Sequence, residues 1–124
     1  MNPKKILLIE DDKFIFDLYK RVLTQAGYEV MVAQDGEEGI KMAQNQKFDL
    51  ILLDIMLPKK NGVEVLRDLK GNDLTKNIPV MVLSNLGQED IIKDCLSLGA
   101  VGYLLKVEHL PQEVVGRINE FFNQ

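Results

Sequence analysis

Five short stretches rich in apolar residues recur along the chain, and four of them end at a charged or hydroxyl residue. Stretches of four to six residues bounded by polar positions are typical of strands that are buried on both faces of a sheet. The central stretch is an unbroken run of leucine and isoleucine that ends at Asp54. The predicted strands are residues 5–10, 28–33, 50–53, 80–83 and 101–105.

Apolar residues at helical spacing follow each predicted strand. The first helix is predicted between Asp12, a suitable amino-terminal cap, and Gly27, which suits a helix end. The spacing of Asp35 and Glu38 fits a capping box at the start of the second helix. The remaining helices are predicted from the turn at residues 58–62 to Gly71, from Asp90 to Leu98, and from Pro111 onward.

The fourth helix shows how the core face is predicted. Its apolar residues are expected to point inward, with Gly99 ending the helix. These inward residues are Ile91, Ile92, Cys95 and Leu96.

Strands that alternate with helices predict an α/β fold in which helices cover both faces of a parallel sheet. A right-handed, doubly wound five-stranded sheet is therefore expected. With 124 residues, the chain has room for one such core, so residues 1–124 are predicted to form a single domain.

Composition removes several classes of function. The formal net charge of −4 and the scattered basic residues argue against direct nucleic-acid binding. Cys95 is the single cysteine, so an internal disulfide is excluded. The apolar run after Lys5 is too short for a signal peptide or a membrane span, so no membrane association and a cytoplasmic location are expected.

The residues at the carboxyl ends of the predicted strands carry the candidate chemistry. By analogy with doubly wound proteins of strand order 2-1-3-4-5, the first and fourth strands flank the third. That order would place the acids of the first strand on one side of Asp54 and a serine on the other, with a lysine reaching in from the fifth strand. The residues concerned are Glu10, Asp11, Asp54, Ser84 and Lys106.

Three carboxylates brought together repel one another by several kcal/mol at an intermediate dielectric constant. A hard divalent cation removes that conflict, and oxygen ligands suit Mg²⁺. A metal beside an ammonium and a hydroxyl forms a receptor for a phosphoryl group. Asp54 would then be the nucleophile.

Four segments at family spacing make the chain resemble the receiver domain of two-component response regulators, over essentially its whole length. They are the acidic end of the first strand (residues 6–12), the phosphoacceptor strand with its Asn61-Gly62 turn (residues 50–62), the strand ending at a hydroxyl (residues 79–84), and the strand with an aromatic residue and a lysine (residues 99–106).

The resemblance implies a flavodoxin-like (βα)5 fold and a site. Asp54 would accept a phosphoryl group from a sensor histidine kinase or a phosphotransfer protein. Mg²⁺, or Mn²⁺ in its place, would be bound by Asp11, Asp54 and the backbone carbonyl of Met56, and by Glu10 through water. Lys106 completes the catalytic set.

The resemblance also implies a switch. Ser84 would hydrogen-bond the phosphoryl group and Tyr103 would turn inward, changing the affinity of the surface formed by the fourth helix, fifth strand and fifth helix for an unknown downstream protein. The chain would be a monomer or a phosphorylation-dependent dimer. No output domain follows residue 124 in this sequence, so we expect either a stand-alone regulator that acts by protein–protein contact or a part of a longer chain. It would catalyse only its own phosphorylation and dephosphorylation. A role for Tyr103 as an ordinary core aromatic residue stays open.

Two positions depart from the family pattern. Val107 stands where a proline with a cis bond is usual, and a cis bond to a non-proline residue costs about 2.5–4 kcal/mol. We therefore predict a trans Lys106–Val107 bond and an altered path into the last helix. Asn85 stands where a small residue is usual, and we hypothesise that it changes the lifetime of the phosphorylated state.

Three other functions compete with this interpretation. An aspartyl-phosphate hydrolase would carry a second acid where Met56 stands. A flavin-binding electron carrier would need a small, uncharged phosphate loop, whereas residues 10–12 are acidic and would repel phosphate. A receiver-like interaction domain that no longer uses phosphorylation is the third, and the complete set of acids, hydroxyl and lysine argues against it.

Overall fold

The computed structural model of the protein describes residues 2–124. The strands are β1 (Lys5–Ile9), β2 (Glu29–Ala33), β3 (Leu50–Leu53), β4 (Val80–Ser84) and β5 (Gly102–Leu105). The helices are α1 (Lys13–Gln25), α2 (Gly36–Asn45), α3 (Gly62–Lys70), α4 (Glu89–Ser97) and α5 (Pro111–Phe122).

All five strands are parallel and lie in the order β2-β1-β3-β4-β5. The doubly wound α/β class and the strand order predicted from the sequence are confirmed. The register places Ile9 beside Leu53 and Ser84 beside Leu105. The residues that follow these positions therefore emerge together at one edge of the sheet.

The sheet is buried on both faces because the apolar residues of its central strands alternate between two clusters. Leu7 and Ile9 face one cluster, which α2, α3 and α4 cover. Ile6 and Leu8 face the other, which α1 and α5 cover. Each fully buried leucine or isoleucine contributes about 1.5–3 kcal/mol relative to an exposed one, so this core fixes the register on which the strand ends depend.

Side-chain caps set the starts of the helices near the carboxyl edge of the sheet. Asp12 accepts a hydrogen bond from the backbone N–H of Phe14 at 2.9 Å, as predicted for a cap of α1. Asp35 caps α2 by accepting from the N–H of Glu38 at 2.8 Å. The predicted capping box is only half formed, because the Glu38 carboxylate faces the N–H of Gln34 at 3.4 Å instead of that of Asp35.

The predicted core face of α4 was wrong at Leu96, and Ile92 is only half-buried and belongs to neither core cluster. Leu96 is 48% exposed, and Leu98 packs against the core instead. The inward residues Ile91, Cys95 and Leu98 have the i, i+4, i+7 spacing of one helix face. Leu96 lies one residue, about 100°, off that stripe and consequently faces solvent.

The connection from β5 to α5 begins with one 3₁₀ turn, Lys106–Glu108. Every peptide bond between described residues is trans, including Lys106–Val107 as predicted. Within residues 2–124, the helices all fall short of the length and hydrophobicity needed to cross a bilayer.

Candidate functional site

Three carboxylates meet where β1 and β3 end. One oxygen from each of Glu10, Asp11 and Asp54 lies within 4.8 Å of the others. The parallel register causes this, since the Asp54 N–H donates to the Ile9 carbonyl at 3.1 Å and so fixes Asp54 beside Glu10. Glu10 is 2% exposed and Asp54 is 6% exposed, whereas Asp11 is open to solvent.

Lys106 crosses from the edge strand to this acidic group. Its Nζ donates to Glu10 Oε1, and it lies 3.3 Å from Asp54 Oδ2. Burial lowers the pKa of Lys106, but hydrogen bonds and charges from Glu10 and Asp54 outweigh burial and raise it overall. Lys106 therefore stays protonated and is the local counter-charge to both acids.

Burial dominates the protonation of Glu10. Desolvation raises its pKa above the ordinary value, and the nearby Asp54 charge acts in the same direction. The hydrogen bond from Lys106 opposes this shift without cancelling it. One ammonium thus compensates only part of the carboxylate charge at this point.

The donor set fits a hard divalent cation. Three carboxylates and one ammonium give a formal charge of −2. The side-chain atoms that could bind a metal ion here are all carboxylate oxygens. Oxygen ligands with open coordination positions suit Mg²⁺ and Mn²⁺. The residues present therefore match the metal predicted from the sequence.

The loop after β3 holds Asp54 from its own backbone. The Met56 N–H donates to Asp54 Oδ1 at 3.1 Å, while the Met56 side chain is 59% exposed. A Cβ at Gly62 would fall 2.3 Å from the Asp54 carbonyl oxygen and 2.5 Å from the Ile55 Cα. Only glycine therefore allows α3 to start so close to the end of β3.

Ser84 and Tyr103 are linked through the backbone of one residue, Leu86. The Ser84 side chain is fully buried, and its Oγ accepts from the Leu86 N–H at 3.3 Å. The Tyr103 hydroxyl donates to the Leu86 carbonyl. Burial chiefly, with Cys95 and the Asp54 charge, raises the pKa of Tyr103 to about 12. The inward turn of Tyr103 on phosphorylation stays a prediction.

Sequence reasoning missed two features of this site. The first is the Leu86 carbonyl as the partner of Tyr103, because a backbone acceptor leaves no mark in the residue type. The second is Tyr19, whose pKa is raised by burial and which also feels the charges of Lys106 and Glu10. Its helical spacing indicated only a core position, and no sequence signal connected α1 to Lys106.

Comparisons with known proteins agree with the fold and the site described above. Residues 6–118 match the model of the response regulator receiver domain. The alkaline phosphatase synthesis transcriptional regulatory protein PhoP of Bacillus subtilis is 40% identical over 93% of this chain and 47% of its own length.

Two solved structures are similar over nearly the whole chain. A CheY-like receiver domain protein from Methanospirillum hungatei JF-1 has a TM-score of 0.90 and 30% identity, covering 98% of this chain and 94% of that one. The CheX–CheY–BeF3–Mg²⁺ complex from Borrelia burgdorferi gives a TM-score of 0.89 and 31% identity, covering 97% and 90%.

The fold and the site define a doubly wound α/β domain with an acidic, lysine-bridged pocket at the carboxyl edge of its sheet. The chain belongs to the family of response regulator receiver domains of two-component systems. It spans about half the length of the curated relatives it matches.

Proposed function

We propose that this receiver domain takes a phosphoryl group on Asp54 from a phosphohistidine of a sensor kinase or phosphotransfer protein. The supporting observation is that the side chains of Glu10, Asp11, Asp54 and Lys106 converge on one point although they come from three strands. Receiver domains are generally not turnover enzymes, and the proposed chemistry is a single transfer followed by hydrolysis of the same group.

Asp54 is oriented for attack by two contacts. The Met56 N–H holds Oδ1 and the Lys106 ammonium lies beside Oδ2. In the proposed step an Asp54 oxygen attacks the phosphorus in line, so that an O–P bond forms as the P–N bond breaks. The electron pair of that bond stays on the imidazole, whose other nitrogen carries a proton. In hydrolysis, water replaces the Asp54 oxygen and inorganic phosphate leaves.

The acidic residues would hold the metal that such a transfer needs. Asp11, Asp54 and the Met56 carbonyl would bind Mg²⁺ or Mn²⁺, with Glu10 acting through water, and the cation would supply positive charge to the oxygens of the transferring group. Lys106 would exchange its bond to Asp54 for one to a phosphoryl oxygen. The Ser84 hydroxyl would donate to another.

The same step would set the output. When Ser84 turns to the phosphoryl group, the Leu86 N–H loses its acceptor, and the Leu86 carbonyl bound by Tyr103 moves with it. The change would reach the face formed by α4, β5 and α5, where Leu96 and Val101 are exposed. A shift from mostly inactive to mostly active needs about 5.5 kcal/mol of differential binding.

The downstream partner on this face would be a protein. The domain would act as a monomer or as a dimer formed on phosphorylation. In this proposal, residues 1–124 act as one receiver domain.

Phosphotransfer from a small donor tests the proposal. The purified chain is mixed with acetyl phosphate with and without Mg²⁺, and intact mass spectrometry measures the added phosphoryl group. Asp54→Asn should stay unlabelled. The matched control Asp49→Asn changes an exposed aspartate at the opposite end of β3 and should be labelled like the wild type.

Two outcomes would count against the proposal. Equal labelling of Asp54→Asn would mean that another residue accepts the group. No labelling of the wild type with any acyl phosphate and Mg²⁺ or Mn²⁺ would instead favour a receiver-like interaction domain that does not use phosphorylation.

A further inference from the structure

An apolar groove of about 710 Å³ lies between the start of α3 and the start of α4, beside the loop that follows Asp54. This volume is in the range of pockets that hold small organic ligands, roughly 300–1,000 Å³. Six apolar side chains line it: Ile55, Met56, Leu57, Val63, Leu86 and Ile91. The groove is separate from the acidic cluster, whose side chains do not line it.

The groove has few polar groups, and they differ in whether they already have a partner. Glu64 is already engaged, because its carboxylate accepts from the Asn61 side-chain amide at 2.8 Å. The Arg67 side chain is exposed, and its guanidinium forms no ion pair or hydrogen bond with any residue in the range 2–124. It is the one cation among the lining residues. A carboxylate can bind such a free guanidinium with two parallel hydrogen bonds.

The groove is also connected to the switch through Leu86. The side chain of Leu86 lines the groove, while its N–H is bonded to Ser84 Oγ and its carbonyl accepts from the Tyr103 hydroxyl. A ligand that contacts Leu86 and a phosphoryl group that recruits Ser84 would therefore act on the same short segment. Two ligands that bias one segment affect each other's binding reciprocally.

We propose that this groove binds a small organic carboxylate with an apolar body, that Arg67 pairs with its carboxylate, and that Leu86 links its binding to the state of the phosphorylation site. The apolar body would lie along the leucine and isoleucine side chains. The linkage, unlike the binding, rests on the proposed function.

The binding arm uses decanoate as the probe, below its micelle concentration, and follows backbone amide shifts of the whole chain by NMR. Decanoate should shift the amides around Val63, Leu86 and Ile91. Decanol, which has the same body without the charge, should bind at least tenfold more weakly. Arg67→Gln should weaken decanoate binding about tenfold, whereas Arg21→Gln, an exposed arginine on α1, should leave it unchanged.

The binding arm also has clear contrary results. No saturable shift in the groove up to millimolar decanoate would overturn the proposal. So would equal binding of decanoate and decanol, or equal binding by wild type and Arg67→Gln, because Arg67 would then play no part. If the groove amides shift when a helical peptide is added but not when decanoate is added, the groove would be assigned to a protein partner instead.

The linkage arm repeats the titration with beryllofluoride and Mg²⁺ present. The dissociation constant for decanoate should change at least threefold, and Leu86→Ala should remove most of that change. A constant that changes less than twofold overturns the linkage while the binding site stands. If beryllofluoride leaves the amides near Asp54 unshifted, the proposed function fails, and the binding arm still decides the groove.

Discussion

Replacing Lys106 with methionine removes the positive charge between Glu10 and Asp54 while keeping an unbranched apolar stem. The Lys106–Asp54 separation of 3.3 Å corresponds to an attraction of about 5 kcal/mol at an effective dielectric constant of 20. The two acids left behind lie within 4.8 Å of each other and would repel by at least about 3.5 kcal/mol at the same dielectric constant. We expect Lys106→Met to lower the free energy of unfolding by about 3 kcal/mol, at the low end for a broken buried pair.

The expected value lies at the low end because Glu10 can take up a proton. Burial already raises its pKa, and loss of the Lys106 hydrogen bond removes the main opposing effect. A carboxyl group whose pKa is raised in the folded state contributes stability at pH values below its unfolded-state pKa. That stability is lost as pH rises through its folded-state pKa. The loss caused by Lys106→Met should therefore shrink as pH falls from 7 towards 5.

Urea denaturation followed by circular dichroism measures the effect, at low salt with EDTA present. Lys93→Met, which changes an exposed lysine on α4, is the matched control and should lie within about 0.5 kcal/mol of the wild type. Millimolar Mg²⁺ should stabilise Lys106→Met more than the wild type. A loss no larger than that of Lys93→Met, or one that grows as pH falls, would refute the electrostatic reasoning.

Three further predictions test single residues around the site. Gly62→Ala should lower the free energy of unfolding by about 3 kcal/mol, because the added Cβ would lie 2.3 Å from the Asp54 carbonyl oxygen. Urea denaturation measures this, and an unchanged urea midpoint would contradict it. Burial raises the pKa of the Tyr103 phenol to about 12, so the stability that this phenol contributes is present below pH 10 and is lost as pH rises towards 12. An ultraviolet pH titration of the wild type, compared with that of Tyr103→Phe, checks this. If the ionisation signal that is missing in Tyr103→Phe has an ordinary midpoint near 10, the prediction is contradicted. Asn85→Ala should change the dephosphorylation rate of the acyl phosphate severalfold, as followed by mass spectrometry; an unchanged rate would remove Asn85 from the mechanism.

Most of the fold could be predicted from local patterns. Buried strands with apolar runs, the Asp12 cap and Pro111 at the start of the last helix depend on the backbone and nearest neighbours, which the sequence carries directly. The order of the strands depends on how the crossovers pack, and it was taken by analogy. The error at Leu96 arose because an apolar residue near an inward stripe does not show which side of the helix it occupies.

The sequence by itself determined which residues end the strands, and therefore which acids, hydroxyl and ammonium are available to one edge of the sheet. The tertiary structure alone decided how they meet: that Lys106 bridges Glu10 and Asp54, and that Leu86 joins Ser84 to Tyr103. The physical reason is that these contacts join strands distant in the chain, or use backbone atoms that every residue type shares. Only the packing of the sheet and its helices fixes such distances.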